Sequence, residues 1–269
     1  MKRSFALAAG LLIWNEASES APIPPPLATH RAVYEVSLDH TNGSDFVAAK
    51  GRMAVQVKNT CDGWSTTQRM IADMTDSSGT LTVTDYFVTS WESKDGRIMR
   101  FDVSDMRDGK VSSRLRGSAV LGPNGAGRVE FASGRHAGFT LPKGTEFPTA
   151  QLLDVLKYAR QNATSYKHIV YEGGDRNTLN FATAIIGKEA KAGTLAADRA
   201  ADKSQMIRSV PAWPVLISSF PLSARAEQPD YEVATHLFAN GISGSMSLIY
   251  PTYVLKAKLV RLEALYPSC

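Results

Sequence analysis

The sequence predicts an all-β fold, mainly antiparallel, in which one amphipathic helix packs on a curved meander of many strands. Apolar and polar residues alternate with a period of two in one segment after another, the pattern of strands that bury one face. Asx-Gly pairs stand between several of these segments and favour tight hairpin turns. A flat open sheet would leave a large apolar face in water, so we expect the meander to curl that face inward.

The alternating segments and the turn pairs follow one another along the chain. The segments are 32–38, 53–57, 81–87, 99–103, 179–185, 231–237, 246–250 and 253–259. The turn pairs are Asn42-Gly43, Asp62-Gly63, Asp95-Gly96, Asp108-Gly109, Asn124-Gly125 and Asn240-Gly241. Because short turns join them, strands that are neighbours in sequence are expected to be neighbours in the sheet.

The first twenty residues have the layout of a secretory signal peptide. Two basic residues precede an apolar run that ends at Trp14, and small residues at Ser18 and Ser20 fit the positions before a cleavage site. Cleavage is expected after Ser20, within a residue or two. The run is too short to span a bilayer, so no transmembrane segment is expected after cleavage. The alternative interpretation is an uncleaved amphipathic arm.

The rest of the chain is expected to form one domain behind a short leader. Residues 21–29 are rich in proline and predict an extended leader, and residues 30–269 predict a single β-rich domain. Without residues 1–20 the chain has 28 basic and 24 acidic residues, so the net charge remains +4. No basic block interleaved with aromatic residues occurs, which argues against nucleic acid as a partner. A weak attraction to an anionic envelope surface is compatible with this charge.

Three segments depart from the strand pattern. Residues 149–162 follow Pro148 and have the spacing of an amphipathic helix, whose apolar face is expected to be core. Residues 188–203 are rich in alanine and charge, and they predict an exposed excursion with at most a short helix. Prolines interrupt the run from Trp213 to Ile217, which predicts an edge strand or irregular cover.

No catalytic or metal-binding motif stands in the sequence. Gly-x-Ser-x-Gly, His-Glu-x-x-His, Cys-x-x-Cys, the P-loop and Gly-x-Gly-x-x-Gly are all missing, so no catalytic residue, metal ligand or cofactor is predicted. The histidines are scattered: His30, His40, His136, His168 and His236. Surface or satisfied core positions are expected for them, because their spacing is not that of metal ligands.

Acidic and aromatic residues within the predicted sheet receive structural interpretations. Glu146, Asp154 and Glu172 lack the pairing expected of acid–base catalysts and are interpreted as parts of charged faces. The tryptophans at 64, 91 and 213 are expected to be core or the walls of an apolar cavity. Trp64, Trp91 and Phe181 are the side chains expected to fill the inside of the curled sheet.

Cys61 and Cys269 are the two cysteines of the chain. In an exported protein such a pair is more often a disulfide than two idle thiols, so a Cys61–Cys269 bridge is predicted. It would close a loop of roughly 200 residues, for which the chain-entropy treatment gives about 5 kcal/mol as an upper figure. The alternative is a buried Cys61 and a free thiol at the C-terminus.

Four stretches taken in order resemble one known family. They are 27–36 (LATHRAVYEV), 59–64 (NTCDGW), 141–149 (LPKGTEFPT) before the helix, and 266–269 (YPSC) at the end. The chain resembles the EipB family of periplasmic cell-envelope-integrity proteins of alphaproteobacteria over essentially its whole mature length. The resemblance implies a periplasmic protein with a spiral, open-barrel antiparallel sheet. It also implies a disulfide at Cys61 and Cys269 and a role in envelope stress resistance, and it carries over no catalytic residue. Gln151 occupies a place where the family pattern leads us to expect histidine.

Three functional hypotheses remain open at this stage. The first is a non-enzymatic protein that maintains the envelope by binding a protein partner or an envelope component. The second is a carrier or sensor of a lipid or other apolar ligand held in the curved sheet, and the third is an unrecognised hydrolase. An unfilled strip of inward-facing apolar residues would favour the carrier, and a serine within hydrogen-bond reach of a histidine would favour the hydrolase. The sequence fixes neither the oligomeric state nor the ligand.

Overall fold

The computed structural model of the protein describes residues 27–132, 137–191, 194–222 and 227–266. The strands are β1 His30–Thr41, β2 Phe46–Asn59, β3 Gly63–Asp76, β4 Leu81–Ser93, β5 Ile98–Arg107, β6 Lys110–Leu121, β7 Gly127–Phe131, β8 Phe139–Leu141, β9 Thr145–Glu146, β10 Ser165–Tyr171, β11 Leu179–Ile186, β12 Ala212–Pro221, β13 Tyr231–Phe238, β14 Ser243–Ile249 and β15 Tyr253–Ala264. The helices are α1 Pro148–Arg160 and α2 Ala196–Ala201. Neither is long and apolar enough to cross a membrane, within the described ranges.

The strands form one sheet built from two meanders. One arm runs from β1 to β8 and the other from β15 back to β9, and the arms pair along β1 and β15. Each pairing is antiparallel except the short one between β9 and β10. The predicted all-β, mainly antiparallel fold is confirmed, as is the expectation that sequence neighbours pair. β8 and β9 end the hydrogen-bonded order, so the sheet is a spiral rather than a closed barrel.

Side chains close the gap between the two ends of the spiral. Phe101 and Phe139, from the β5–β8 arm, pack on Tyr171 at the end of β10, with ring centroids 5.9 and 5.8 Å apart. Leu179 of β11 joins the same buried cluster. The barrel-like shape therefore depends on apolar packing at this seam and not on a backbone ladder.

Helix α1 plugs one end of the curled sheet. Pro148 occupies its first turn, where its missing N–H would have no helical acceptor anyway. Val155 and Leu156 are buried against inward-facing side chains that include Trp64 and Trp213. The predicted helix at 149–162 and its core-facing side are confirmed, and so is the burial of these two tryptophans. The helix ends at Arg160, two residues earlier than predicted.

The segment before β12 is only partly the exposed excursion that the sequence predicts. A short helix, α2, does form, but Leu195 and Ile207 are buried in the core cluster that contains β1 and β15. Asp198 of α2 is buried as well, and its carboxylate accepts hydrogen bonds from the backbone and hydroxyl of Ser245. The predicted exposed excursion and short helix are therefore confirmed in part, and the burial of Leu195 and Asp198 anchors the segment to the sheet.

The predicted edge strand or irregular cover around Trp213 is also wrong. Strand β12 lies inside the sheet, between β11 and β13. Pro214 is tolerated because the N–H and C=O of one residue in an antiparallel sheet point to the same neighbour. The carbonyl of Pro214 accepts from the N–H of Gly187, one residue beyond the end of β11 at Ile186. The missing N–H of Pro214 would point to the same place, so no hydrogen bond between β11 and β12 is lost.

Two side chains predicted to fill the interior lie on the outer face instead. Trp91 lies outside because Glu92, the next residue along β4, is buried inside. Its ring covers the backbone of Gly63 and lies under the guanidinium of Arg100 at 4.9 Å. Phe181 is 38% exposed, because alternation along β11 turns its neighbour Ala182 inward, and Ala184 on the same inner face joins the core cluster that contains α1.

Candidate functional site

An unfilled cavity lies inside the sheet, next to the N-terminus of α1. Its volume is about 300 Å³, which is at the lower end of the range for small-molecule sites. We call it the lumen cavity. It is lined by His30, Tyr34, Met53, Val55, Val57, Thr66, Gln68, Ser90, Glu92, Pro148, Thr149, Leu152, Val233, Gly241, Ser243, Met246 and Leu248.

Most of the cavity wall is apolar. Val55 and Val57 of β2 face into it from one side of the curled sheet, and Val233 and Leu248 from the other arm face them across the gap. Alternation along each strand turns these residues inward while their neighbours face solvent. The inside of the sheet thus keeps a strip of apolar residues that no side chain fills, which is the feature expected of a carrier.

A buried carboxyl group stands at the α1 end of the cavity. Glu92 is 2% exposed and pairs in register with Trp64 on β3. The backbone N–H of Thr149, in the first turn of α1, donates to Oε2 of Glu92 at 2.9 Å. Burial raises the pKa of Glu92 to about 7, and the hydrogen bonds from Thr149 only partly oppose this. Glu92 therefore titrates near neutral pH.

His30 contributes a second polar group to the same wall. It is 4% exposed, and its Nδ1 lies 2.7 Å from the backbone carbonyl of Ala28. A carbonyl only accepts, so Nδ1 carries the proton. Burial lowers the pKa of His30, so the ring is neutral and its Nε2 is a hydrogen-bond acceptor.

A second partly buried carboxyl group, Glu172, lies directly after β10 and is not among the residues that line the lumen cavity. The hydroxyl of Tyr231 donates to its Oε1 at 2.5 Å, and the hydroxyl of Ser219 lies 3.4 Å from the same oxygen. Burial raises the pKa of Glu172, while these donors act in the opposite direction. Burial raises the pKa of Tyr86 on β4 to about 12, and the negative charge of Glu172 raises it further.

A third carboxyl group lies against β10. Glu146 of β9 accepts a hydrogen bond of 2.5 Å from the hydroxyl of Tyr166. Its other oxygen lies 3.1 Å from Nδ1 of His168, without hydrogen-bond geometry. Burial raises the pKa of Glu146, and Asp154 on α1 raises it further. The interpretation of Glu146 and Glu172 as parts of solvated charged faces is therefore wrong.

Comparison with known proteins decides the family. The family model described as EipB-like matches residues 21–266. The chain belongs to the EipB-like family. It is 25% identical over 241 residues to the cell envelope integrity protein EipB of Brucella abortus (strain 2308), covering 88% of this chain and 84% of that protein.

The fold of this EipB-like chain also matches a solved structure. A crystal structure of a β-barrel-like protein of a domain of unknown function, from Brucella abortus, superimposes with a TM-score of 0.82 at 24% identity. The match covers 90% of this chain and 100% of the other. The family resemblance and the spiral, barrel-like fold that it implied are both confirmed.

The predicted disulfide of the EipB-like chain stays a prediction. Cys61 is exposed in the turn between β2 and β3, near the α1 end of the barrel. Cys269, the predicted signal peptide 1–20, most of the leader and His136 lie outside the described residues. Lys94, close to this turn, stacks its ammonium over Trp64 at 3.5 Å.

The chemistry that would mark a hydrolase does not assemble in the described part of this EipB-like chain. There, His30 bonds a backbone carbonyl and His40 bonds Asp39, and no hydrogen bond joins a serine to a histidine. No group of three potential metal ligands occurs within the same ranges. His168 and His236 lie in strands, as predicted.

Two larger depressions, of about 660 and 670 Å³, lie on the outer surface of the EipB-like barrel. The first is bordered by exposed side chains such as Ile185 and Lys258, and the second by Trp91 and Arg100. Both are shallow and open to solvent. The smaller lumen cavity is the candidate site because it combines enclosure, apolar walls and buried polar groups.

Sequence reasoning missed Glu92, the most buried acidic group of the site. In the sequence it lies beside Trp91, after the alternating segment 81–87, and has the appearance of an exposed carboxylate. Its burial depends on Thr149, fifty-seven positions away. The only available clue was the phase of the alternation, which places Glu92 on the same face as Ser90 and opposite Trp91.

Proposed function

We propose that this protein is an exported, non-catalytic protein of the periplasm that maintains the cell envelope by holding an apolar chain of an envelope molecule in its lumen. The family relative named for cell envelope integrity supports the role in the envelope. The family match begins at residue 21, directly after the predicted signal peptide, which supports export. The observation that carries the binding mode is the unfilled apolar lumen cavity.

An apolar chain is the ligand class that this wall fits best. Burial of a methylene group on such a wall stabilises a complex by about 0.8 kcal/mol, so an acyl chain of moderate length could be retained without any covalent step. The plug formed by α1 closes one end of the barrel, so a chain would enter from the other end, with its tip or its head group next to Glu92.

Two adjacent residues of β13 give a matched test of this proposal. Val233 lines the lumen cavity, whereas Ala234 borders the depression on the outer face. Val233→Trp would fill the cavity, and Ala234→Trp would add the same ring outside. Binding of the uncharged fluorescent probe N-phenyl-1-naphthylamine should be lost in Val233→Trp and retained in Ala234→Trp, provided that both variants keep the wild-type circular dichroism spectrum.

The same pair of variants tests the role in the envelope. Cells without the protein should become sensitive to detergents and wall-active antibiotics. Ala234→Trp should restore resistance, and Val233→Trp should not, although it is exported in equal amount. Restoration of resistance by a Val233→Trp protein that binds no probe would contradict the lumen as the functional site.

A second candidate function, the binding of a protein partner, is favoured by the apolar depression on the outer face, where Ile185 is 58% exposed. It predicts the opposite result for the matched pair, with function lost in Ala234→Trp and kept in Val233→Trp. Crosslinking and pull-down of the mature protein from its own envelope, with mass spectrometry for proteins and lipids, distinguishes the two candidates directly.

A further inference from the structure

The one acidic group of the lumen cavity lies at its α1 end. Glu92, Thr149 and Ser90 lie there, whereas Val233 and Leu248 belong to the apolar wall. An amphiphile that enters head first, with its chain along the apolar wall, would place its head group next to Glu92. The chemistry around Glu92 therefore decides which head group the lumen accepts.

Glu92 has no cationic partner among the described residues. Its hydrogen bonds come from Thr149, and no lysine, arginine or histidine of the described ranges forms an ion pair with it. Lys94, which borders a small surface depression together with Glu92 and Asp154, is directed over the ring of Trp64. A buried carboxylate is costly unless a positive charge or several donors compensate it. The positive end of the α1 dipole compensates it only in part.

The neighbouring group in the wall also accepts hydrogen bonds. The neutral ring of His30 donates through Nδ1 to Ala28 and keeps Nε2 as an acceptor. Tyr34, which could have donated from the same wall, already uses its hydroxyl on the carbonyl of Ser243 at 2.8 Å. The cavity wall therefore contains a carboxyl group and a neutral imidazole acceptor, and no lysine or arginine is among its lining residues.

We propose that the lumen cavity selects amphiphiles with a protonated amine head group and rejects those with an anionic head group, with Glu92 as the residue that sets this preference. This inference rests on the proposed function. An ammonium group supplies both the positive charge and the donors that the Glu92 carboxylate lacks. A carboxylate or sulfonate head would instead be placed against a buried negative charge without a counter-ion.

Competition at pH 8.5 against N-phenyl-1-naphthylamine tests the preference with probes of equal chain length. Decylamine, decanol and decanesulfonate differ only in their head groups, and butylamine tests whether an amine without the long chain suffices. In the wild type we expect decylamine to bind about tenfold or more tightly than decanesulfonate, with decanol between them. Butylamine should not compete measurably.

Two variants assign the preference to one residue. Glu92→Gln keeps an acceptor for the N–H of Thr149 and removes the charge, so decylamine and decanesulfonate should then bind within about twofold of each other. Glu172→Gln removes a carboxyl group that does not line the lumen cavity and should leave the wild-type preference unchanged. A second measurement needs no variant. At pH 5.5 both decyl probes keep their charges while Glu92 is mainly protonated, so the wild-type preference should shrink.

The possible results separate this inference from the proposed function. If decanol and decylamine both fail to displace the probe, the lumen holds no chain and both proposals fall. If decanol binds but decanesulfonate binds as tightly as decylamine, only the head-group inference is overturned. The same holds if folded Glu92→Gln keeps the full preference, if the preference is equal at both pH values, or if butylamine competes as well as decylamine.

Discussion

Glu92 and Glu172 are carboxyl groups of the same barrel, and they are held in different ways. Glu172 is bound by hydroxyl donors of Ser219 and Tyr231, which stand on the neighbouring strands β12 and β13. Glu92 receives its donors from the first turn of α1, and one side of its environment is an unfilled cavity. In both groups burial raises the pKa.

This difference in hydrogen-bond donors indicates that Glu172 has a structural role and that Glu92 is available to a ligand. The donors around Glu172 belong to the sheet itself, so its charge is compensated whenever the sheet is folded. Glu92 keeps acceptor capacity that the protein does not use. A buried charge with incomplete compensation lowers stability, and such groups are often found where a ligand supplies the missing partner.

The predicted disulfide would sharpen this comparison most, because Cys61 lies in the turn before β3, which carries Trp64, the register partner of Glu92. Cys61→Ser should lower the free energy of unfolding by up to about 5 kcal/mol, because the loop that the bridge closes is long. Urea unfolding of the wild type with and without reductant measures the effect, and Cys269→Ser should give the same loss. Alkylation of both thiols in denatured, non-reduced protein from the periplasm would show that no bridge exists.

The second largest effect is expected for Glu92→Gln. Because the pKa of Glu92 is raised to about 7 from an ordinary 4.5, the folded state binds a proton between these values that the unfolded state has lost. The contribution of Glu92 to stability therefore falls as pH rises from about 4.5 to 7. Above pH 7 the glutamine variant should be more stable than the wild type by up to about 3 kcal/mol.

Denaturant unfolding at pH 5 and pH 8.5 measures this difference. The stabilisation by Glu92→Gln should be much smaller at pH 5 than at pH 8.5. Glu130→Gln, a substitution at an exposed position of β7, is the matched control and should show no comparable pH-dependent gain. A glutamine variant of Glu92 that is less stable than the wild type at pH 8.5 would mean that its charge is well compensated inside the barrel.

Tyr231→Phe tests whether the hydroxyl donors around Glu172 compensate its negative charge, in contrast to Glu92. The variant removes the 2.5 Å hydrogen bond and leaves a partly buried carboxylate short of a donor, so a loss of about 2 kcal/mol is expected near neutral pH. The pKa of Glu172 should rise further, so the loss should become smaller in acid, where the carboxyl group is protonated. Thermal or urea unfolding across this pH range provides the test, and a pH-independent loss would point to packing alone.

Ser219→Ala should have the smallest effect at the same site. Its hydroxyl lies 3.4 Å from Glu172, a long and therefore weak hydrogen bond, so we expect a loss of about 0.5 kcal/mol. The difference between this variant and Tyr231→Phe, measured under identical conditions, ranks the two donors. An equal or larger loss for Ser219→Ala would show that the serine is the main donor.

The sequence was sufficient to predict the sheet but not which face of each strand points inward. Alternation and Asx-Gly turns predict the strands and their neighbour pairing, because both depend on local chemistry. In β11, however, the apolar residues Phe181 and Ile185 face outward, while Ala182 and Ala184 face inward. Space is short on the inner side because α1 occupies it. The position of α1 depends on tertiary packing, which the local sequence pattern does not reveal.

The site was beyond sequence reasoning for the same reason. Helix α1 could be predicted from Pro148 and the apolar spacing, but the contact between its first turn and Glu92 joins distant parts of the chain. Likewise Tyr231 reaches Glu172 from fifty-nine positions away. In the sequence Glu92 follows the alternating segment 81–87, and only the curled sheet with α1 at its end turns this glutamate into a buried group.

The pairing of β1 with β15 has a consequence for how the molecule forms. Val36 pairs with Ala257, so the first strand of the sheet finds its second neighbour only when the last strand has been synthesised. Each arm can assemble from local hairpins, whereas this seam must close nearly the whole length of the chain. Until then β1 presents an open edge, which is the kind of edge that recruits strands of other molecules. Newly made chains should therefore be most prone to aggregation just before their C-terminal strand emerges, and least prone directly afterwards.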